Sequence, residues 1–347
     1  MKTLAFPRLH AGLLILALAA VAAAAPPANE YKVTKKVVLG GDGGWDYVTV
    51  DSKARRVYVA RATRVMVLDA DSGTLISEIP NTPGVHGVAL VPDLGRGVAS
   101  NGRENTALVF DLKTLAEIKR VPTGTNPDAI TYDPASHRVF TFNGRSGDAT
   151  AIDPAEGTAM GTVALGGKPE AAVFDGEGHI WVNIEDKSEV VLFDSKSLTV
   201  KSRWPLAPCE EPTGLAFDKR HHRLFAGCGN KMMAVMDSET GKVVATVPTG
   251  PGVDGTAFDP ETQLAFSTNG GDGTLTVVHE DSPDKYTVVQ TVETGRGART
   301  IALDPTTHTI YTVTAQFGPP PEATPQQPRP RPPQVPGTFQ LLVIARQ

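Results

Sequence analysis

The sequence predicts an all-β fold, a seven-bladed β-propeller with four antiparallel strands per blade. Three observations lead to this prediction: a short apolar strand recurs at a nearly constant interval, four strands fit into each interval, and the chain ends complement each other. The recurring strands end at aspartates that are 40 to 45 residues apart. These aspartates are Asp51, Asp93, Asp133, Asp175, Asp218, Asp259 and Asp304.

Each interval has room for three further strands. A second strand follows the aspartate, as in Arg56-Val-Tyr-Val59, and a third ends at another aspartate, as in Val65-Met-Val-Leu-Asp69. A fourth strand then runs into glycine, as in the segment from Val243 to Gly250. Short β-branched strands separated by Asp, Asn, Gly and Pro turns are typical of propeller blades.

The two ends of the chain indicate how the ring closes. The last repeat supplies only three strands, the third running from Phe339 to Ile344. The segment from Tyr31 to Gly40 reads as a fourth strand and precedes the first repeat. We therefore expect this N-terminal strand to complete the last blade, which protects the sheet edges. Residues 25–347 are predicted to form one domain, with a proline-rich insertion at 318–337 in the last blade.

Residues 1–24 are predicted to be a signal peptide. Lys2 and Arg8 precede an apolar run from Ala11 to Val21, and small-residue cleavage sites follow. The run is too short to span a bilayer. We therefore expect a periplasmic or secreted monomer that has no transmembrane segment after processing.

Composition excludes several classes of protein. The 40% hydrophobic content suffices for a core, and two cysteines are too few for a tetrathiolate zinc site. Removing the leader from a chain with 33 basic and 38 acidic residues leaves 31 basic residues and a net charge of about −7. Because nucleic-acid binders are normally basic, this balance disfavours a nucleic-acid partner.

Two stretches carry a resemblance to a known family. VFTFNGRSGDATAIDPAEGTAMGTVALGGKPEAAVFD, from Val139 to Asp175, and ALVFDLKTLAEIKRVPTGTNPDAITYDPASHRVF, from Ala107 to Phe140, resemble the YVTN repeats of periplasmic YncE-like propellers. The resemblance covers essentially the whole mature chain and implies an exported propeller. It does not imply one activity, because related repeats occur in enzymes, in subunits of quinone-linked dehydrogenases, in surface-layer proteins and in proteins that bind single-stranded DNA.

A candidate binding site follows from the topology. Fourth-to-first connections and second-to-third hairpins share one face, named here the top face, and the aspartate turns occupy the opposite, bottom face. The residues just before the first strands should surround the top mouth of the central channel. They are Asp46, His86, Asp128, Glu170, Thr213 with Glu210 and Glu211 before it, Asp254 and Arg299.

This ring admits three interpretations. Carboxylates at Asp46, Asp128, Glu170 and Asp254 with the imidazole of His86 could bind Ca²⁺, Mg²⁺, Mn²⁺ or Zn²⁺, and Fe²⁺ is also compatible. The same groups could perform acid–base chemistry while Arg299 holds an anion. Alternatively, the ring is solvated and binds nothing. No other cofactor is indicated.

The bottom-face residues are expected to be structural. Repeated aspartates form turns, and His137, His179 and His308 recur in such turns. The adjacent His221 and His222 could bind a metal, although exposed neighbouring histidines usually do not. Trp45 is expected to pack between blades rather than to floor the mouth.

Cys209 and Cys228 are both expected on the top face. In an oxidising compartment we expect a disulfide between them, which would stabilise the fold by about 3 kcal/mol. A redox or metal-binding thiol pair is the alternative.

The insertion from Gly318 to Gly337 holds nine of the 28 prolines and cannot join a sheet. It is interpreted as a lid with Arg329 and Arg331 facing the acidic ring, as a docking arm for a protein partner, or as a tolerated loop.

Three functions remain open at this level. The first is a binding or scaffold propeller that presents its top face to a small ligand or protein partner. The second is a metal-dependent hydrolase or lyase, lactonase-like, with the acidic ring as its site. The third is single-stranded DNA binding. The sequence contains no phosphate loop, nucleophile elbow, haem attachment motif or HExxH motif.

Overall fold

The computed structural model describes residues 1–2, 30–322, 324, 330 and 332–346. Within these ranges the strands form seven four-stranded antiparallel sheets. The predicted seven-bladed β-propeller is therefore confirmed. The predicted signal peptide falls, apart from its first two residues, outside the described residues.

The strands follow the repeat of the sequence. Blade 1 comprises β2 Val48–Asp51, β3 Arg56–Arg61, β4 Arg64–Asp69 and β5 Leu75–Ile79, and blade 2 comprises β6 Val85–Val91, β7 Arg96–Asn101, β8 Thr106–Asp111 and β9 Glu117–Pro122. Blade 3 comprises β10 Pro127–Asp133, β11 Arg138–Asn143, β12 Asp148–Asp153 and β13 Thr158–Ala164, and blade 4 comprises β14 Pro169–Phe174, β15 His179–Ile184, β16 Glu189–Asp194 and β17 Thr199–Pro205.

The remaining strands form blades 5 to 7. Blade 5 comprises β18 Pro212–Asp218, β19 Arg223–Cys228, β20 Met232–Asp237 and β21 Val243–Pro248, and blade 6 comprises β22 Val253–Asp259, β23 Leu264–Asn269, β24 Thr274–Ser282 and β25 Lys285–Glu293. Blade 7 comprises β26 Ala302–Asp304, β27 Thr309–Thr314 and β28 Gln340–Arg346, together with β1 Tyr31–Val38.

The N-terminal strand closes the ring, as the sequence predicts. β1 pairs antiparallel with β28, from Tyr31 opposite Arg346 to Val38 opposite Gln340. The sheet order β1-β28-β27-β26 makes β1 the outer strand of blade 7. Gln290 of blade 6 accepts a hydrogen bond from the Tyr31 amide and donates one to its carbonyl, so the neighbouring blade also holds the strand.

The core lies between adjacent blades. Second and third strands are buried along most of their length because each face packs against a neighbouring blade. At the closing seam, Trp45 and Met66 of the blade 1 side pack with Tyr311 and Phe339 of blade 7. Fourth strands are largely exposed, as in β9. Each blade therefore gains its stability from its neighbours rather than alone.

Turn chemistry on the bottom face also matches the prediction. Third-strand aspartates accept hydrogen bonds from backbone amides two and three residues on, as Asp69 does from Asp71 and Ser72. The first-strand Asp133 does the same with Ala135 and Ser136. These aspartates stabilise the turns that end the strands.

Cys209 and Cys228 form the predicted disulfide, with Cα atoms 5.5 Å apart. It links the connection that enters blade 5 to the end of β19 on the top face. No helix within the described ranges is long and apolar enough to cross a membrane.

Candidate functional site

The mouth of the central channel opens into a cavity of about 960 Å³ on the top face. Five predicted site residues from five blades line it: Asp46, Asp128, Glu170, Asp254 and Arg299. A smaller space of about 190 Å³ lies among the first strands that form the channel wall. Tyr47 and Asp254 line both spaces, so the cavity and the channel meet at these side chains.

Irregular strand pairing directs four of the site residues. The register between first and second strands shifts between Val85 and Val88, and also within the equivalent segments 127–130, 169–172 and 253–255. His86, Asp128, Glu170 and Asp254 lie inside these irregular segments. A β-bulge re-aims a side chain at the end of a strand. These residues are therefore the second residues of the first strands, and the sequence placed them one step too early, before the strands.

His86 joins two carboxylates from neighbouring blades. Its Nδ1 lies 2.6 Å from Asp46 Oδ2 and 3.4 Å from Asp128 Oδ1. Burial lowers the pKa of His86, but the hydrogen bond with Asp46 and the charges of Asp128 and Asp46 outweigh burial, and the pKa rises. Ligand atoms of the three residues lie within 4.8 Å of one another, which is close enough to share one metal ion.

Burial raises the pKa of Asp128 to about 6. The positive charge of His86 opposes this rise, and the negative charges of Asp46 and Asp254 add to it. Asp128 therefore changes its protonation within the physiological range of pH.

Arg299 connects the opposite side of the ring. Its Nε donates a hydrogen bond to Asp254 Oδ2 over 2.6 Å, and its Nη2 donates one to the Trp45 carbonyl over 2.7 Å. The same nitrogen lies 3.5 Å from Asp46 Oδ1. Burial nevertheless raises the pKa of Asp254. The positive charge of Arg299 opposes this rise, and the negative charge of Asp46 adds to it.

In the cavity wall, Lys168 contacts two carboxyl groups. Lys168 Nζ lies 2.8 Å from Glu170 Oε1 and also contacts Glu185. Burial raises the pKa of Glu170 to about 9, and the negative charge of Asp128 contributes to the rise against the opposing charge of Lys168. Glu170 therefore holds a proton more readily than an ordinary glutamate, while its hydrogen bond with Lys168 and that of Glu185 raise the pKa of Lys168.

Tyr47, Lys168 and Arg296 also line the cavity, although they were not among the residues predicted from the sequence. Lys168 precedes β14, and Tyr47 follows Asp46. Burial raises the pKa of Tyr47 strongly, and Glu170, Asp128, Asp254 and Asp46 all raise it further. Four carboxylates thus act on one phenol. The spacing of Lys168 two residues before Glu170 could have indicated that the lysine belongs to the site. The direction of the Tyr47 side chain could not be predicted from its position in the sequence.

Blade 5 contributes no carboxylate to the cavity. Glu211, a predicted member of the ring, is exposed and lies outside the lining residues. Its backbone is left-handed, with φ of 50°, and its amide donates to Ser188 Oγ. Thr213 donates its hydroxyl to the Val253 carbonyl. The connection that enters blade 5 turns the Glu211 side chain towards Gly229 instead of the mouth.

Described residues of the insertion, together with Phe317 beside it, form part of the cavity wall. Phe317, Pro332 and Gln334 line the cavity, and Phe317 forms a β-bridge with Gln334. The Phe317 ring packs 6.0 Å from Trp45, which is buried between blades as predicted and also lines the cavity. This placement favours the lid interpretation. Arg329 and Arg331 lie outside the described residues, so their predicted contact with the ring stays a prediction.

Comparisons with known proteins support the fold alone. No family model matches the chain, and no curated protein matches it. The solved hydrazine synthase from Kuenenia stuttgartiensis aligns with a TM-score of 0.67 and 16% identity over 78% of this chain and 92% of that chain. A chain of a mitotic checkpoint complex aligns with a TM-score of 0.72 and 18% identity over 98% of this chain and 99% of that chain. The protein is thus a seven-bladed β-propeller with an acidic cavity on its top face.

Proposed function

We propose that this protein is an exported YVTN-type propeller that binds a cationic ligand at the mouth of its channel. The observation that carries the proposal is the convergence of Asp46, Asp128, Glu170 and Asp254 on one cavity of about 960 Å³. Pockets of this size accommodate small-molecule ligands. A divalent metal cation and a small organic cation both carry the positive charge that a cavity lined by carboxyl groups favours.

The electrostatics support a cation rather than an anion. Burial and the neighbouring carboxylates raise the pKa values of Asp128, Glu170 and Asp254 together. Burial is the largest cause of each shift, and repulsion between the carboxylates adds to it against the opposing charges of His86, Lys168 and Arg299. A bound positive charge relieves this repulsion, so binding is coupled to the loss of protons.

If the cation is a metal ion, Asp46, His86 and Asp128 would hold it. Their ligand atoms lie within 4.8 Å of one another, and oxygen with imidazole donors suits Mn²⁺ or Zn²⁺, and to a lesser degree Ca²⁺ or Mg²⁺. Arg299 is bound mainly to Asp254, although its Nη2 also lies 3.5 Å from Asp46 Oδ1, and Lys168 contacts Glu170 and Glu185.

A metal-dependent hydrolase or lyase is the second candidate function. It is favoured by two carboxyl groups whose pKa values differ, about 9 for Glu170 and about 6 for Asp128. Such a difference suits one group to donate a proton and the other to accept one. Turnover of a lactone panel that disappears in Asp128→Asn but persists in Glu211→Gln would support this candidate over simple binding.

Calorimetric titration of the chelator-treated mature chain tests the proposal. Mn²⁺, Zn²⁺, Ca²⁺ and a panel of small ammonium compounds serve as probes. The matched variants are Asp128→Asn in the cavity and Glu211→Gln in an equivalent connection outside it. We expect at least one probe to bind the wild type and Glu211→Gln and to bind Asp128→Asn much more weakly. Equal binding to all three proteins, or no binding of any probe, contradicts the proposal.

Export is part of the proposal, supported by the disulfide and the leader-like sequence. Oxidised structural cysteine pairs persist mainly outside the cytosol. Amino-terminal sequencing of protein recovered outside the cytosol tests this point. We expect it to begin at Ala25, and an intact Met1 terminus contradicts it.

A further inference from the structure

A second cluster of titratable side chains lies on the bottom face, between blades 5 and 6. Asp218 ends β18, His221 lies in the turn that follows, and Glu280 lies near the end of β24. The cluster is thus at the opposite end of the blades from the acidic cavity and shares no residue with it.

The three side chains face one another. His221 Nδ1 lies 2.7 Å from Asp218 Oδ2 and 3.3 Å from Glu280 Oε1. The side chains of Asp218 and Glu280 are 3% and 0% exposed, whereas that of His221 is 23% exposed. Two carboxylates are therefore removed from water, and an imidazole connects them to the surface.

Hydrogen bonds satisfy this cluster only in part, with Asp218 Oδ1 accepting from the Arg220 amide. Glu280 Oε2 is buried and lacks a hydrogen-bond partner among the described residues, and the 2.7 Å contact between Asp218 Oδ2 and His221 Nδ1 does not have hydrogen-bond geometry. The other Glu280 oxygen accepts a hydrogen bond from Tyr286 over 3.4 Å. Burying carboxylates without such partners is costly. The geometry calls for a positive charge between them.

Blades 3 and 4 contain the same arrangement with a neutral partner. Ser195 Oγ donates a 2.6 Å hydrogen bond to Asp133 Oδ2, across 62 residues. Glu280 and Asp218 are separated by the same interval. Ser195 and Glu280 occupy equivalent positions in their blades. Each directly follows a third-strand residue that pairs with the first residue of the second strand. Blade 6 therefore places an acid where blade 4 places a hydroxyl donor.

His221 also departs from the repeat. It lies three residues after Asp218, where blade 3 has Ser136 three residues after Asp133. The next residue, His222, has a left-handed backbone with φ of 57°, like His137 and His308 at 55° and 54°. His222 thus occupies a recurring turn position. Of the neighbouring histidines, only His221 is in the cluster.

We propose that Asp218, His221 and Glu280 bind a divalent transition-metal ion, with Zn²⁺ as the probe, that links blade 5 to blade 6. One imidazole nitrogen and two carboxylate oxygens are a donor set that Zn²⁺ accepts, with water completing four-coordination. The ion replaces the Ser195–Asp133 hydrogen bond with a metal-mediated contact. The partial exposure of His221 lets the ion reach the buried carboxylates.

Zinc titration of the chelator-treated mature chain tests the proposal. Glu280→Ser and His221→Ser reproduce the residues of blades 3 and 4, and Asp128→Asn serves as the control at the mouth. We expect both serine variants to bind one equivalent of Zn²⁺ fewer than the wild type. We expect Asp128→Asn to keep that equivalent. The loss of metal binding at the mouth and the loss of Zn²⁺ binding at the bottom face are therefore distinguishable.

Thermal unfolding gives the second readout. We expect Zn²⁺ to raise the Tm of Asp128→Asn and to leave that of Asp128→Asn/Glu280→Ser unchanged. His221→Ser, at a partly exposed position, carries the same test if a Glu280 variant fails to fold. The alternative is that Asp218 and Glu280 share a proton. In that case Zn²⁺ does not change the Tm of Asp128→Asn, and the wild type and the serine variants bind the same number of Zn²⁺ ions per chain. Either of these results overturns the proposal.

Discussion

Arg299 Nε donates a hydrogen bond to Asp254 Oδ2 over 2.6 Å, which joins the connection entering blade 7 to the first strand of blade 6. The same guanidinium donates to the Trp45 carbonyl, at the start of blade 1. Blades 7 and 1 meet at the seam where β1 closes the ring. One arginine therefore orders three blades around the cavity and compensates part of its negative charge.

Replacing Arg299 by Gln is expected to lower the free energy of unfolding. The substitution removes a charged hydrogen bond and leaves Asp254 facing Asp46 without a nearby cation, at a cost of about 1–3 kcal/mol. Urea unfolding monitored by tryptophan fluorescence measures the change. Arg296→Gln is the control, because Arg296 lines the same cavity and forms no ion pair with the described residues. Equal losses in both variants would show that the Asp254 contact is not responsible.

Glu170 is expected to make the stability of the protein decrease with rising pH. Its pKa is about 9 in the folded chain against an ordinary value of 4.5, mainly because of burial. Between these values the folded state holds a proton that the unfolded state has lost, so stability falls as pH rises, by at most about 1.4 kcal/mol per pH unit.

Unfolding of Glu170→Gln and wild type at pH 5.5, 7 and 8.5 tests this sign. The glutamine variant stays neutral and should show a shallower decline than the wild type. Glu211→Gln, whose side chain is exposed, should follow the wild type. Parallel curves for all three proteins would refute the assignment of a raised pKa to Glu170.

The disulfide is expected to contribute about 3 kcal/mol to stability by restricting the unfolded chain. Its cysteines are 19 residues apart in sequence. Cys209→Ser/Cys228→Ser should lower the urea midpoint, and a reducing agent should lower that of the wild type but not that of the double variant. Thiol titration of the native protein should find no free cysteine, and two reactive thiols would disprove the pairing.

The fold was predictable because its information is local and repeated. Aspartates such as Asp51 and Asp304 end short strands at a constant interval, and turn chemistry at each is independent of the rest of the molecule. The closing strand was predictable because the last repeat lacks a fourth strand. Only the bounds moved, as when β28 begins at Gln340 rather than Phe339.

The site was predictable only in part, because side-chain direction depends on pairing between strands. The ring formed by Asp46, His86 and Asp128 follows from the topology, but bulges at His86 and Asp128 decide the direction of these two side chains. Glu211 lies outside the cavity lining, and the left-handed backbone that accompanies this placement is not visible in the sequence. Glu280 went unnoticed because its contact with His221 requires the packing of two blades.

Gln290 is expected to hold the closing strand through its side chain. It accepts from the Tyr31 amide at 2.9 Å and donates to the Tyr31 carbonyl at 2.7 Å, so its amide group extends the hydrogen bonding of β1 from blade 6. Gln290→Ala leaves both backbone groups dependent on water and should cost about 1–2 kcal/mol. Hydrogen exchange should accelerate in residues 31–38 first, since an outer strand opens before the strands it covers. Thr291→Ala, at the next and exposed position of β25, is the matched control. Unchanged exchange of β1 in Gln290→Ala would show that pairing with β28 alone closes the ring.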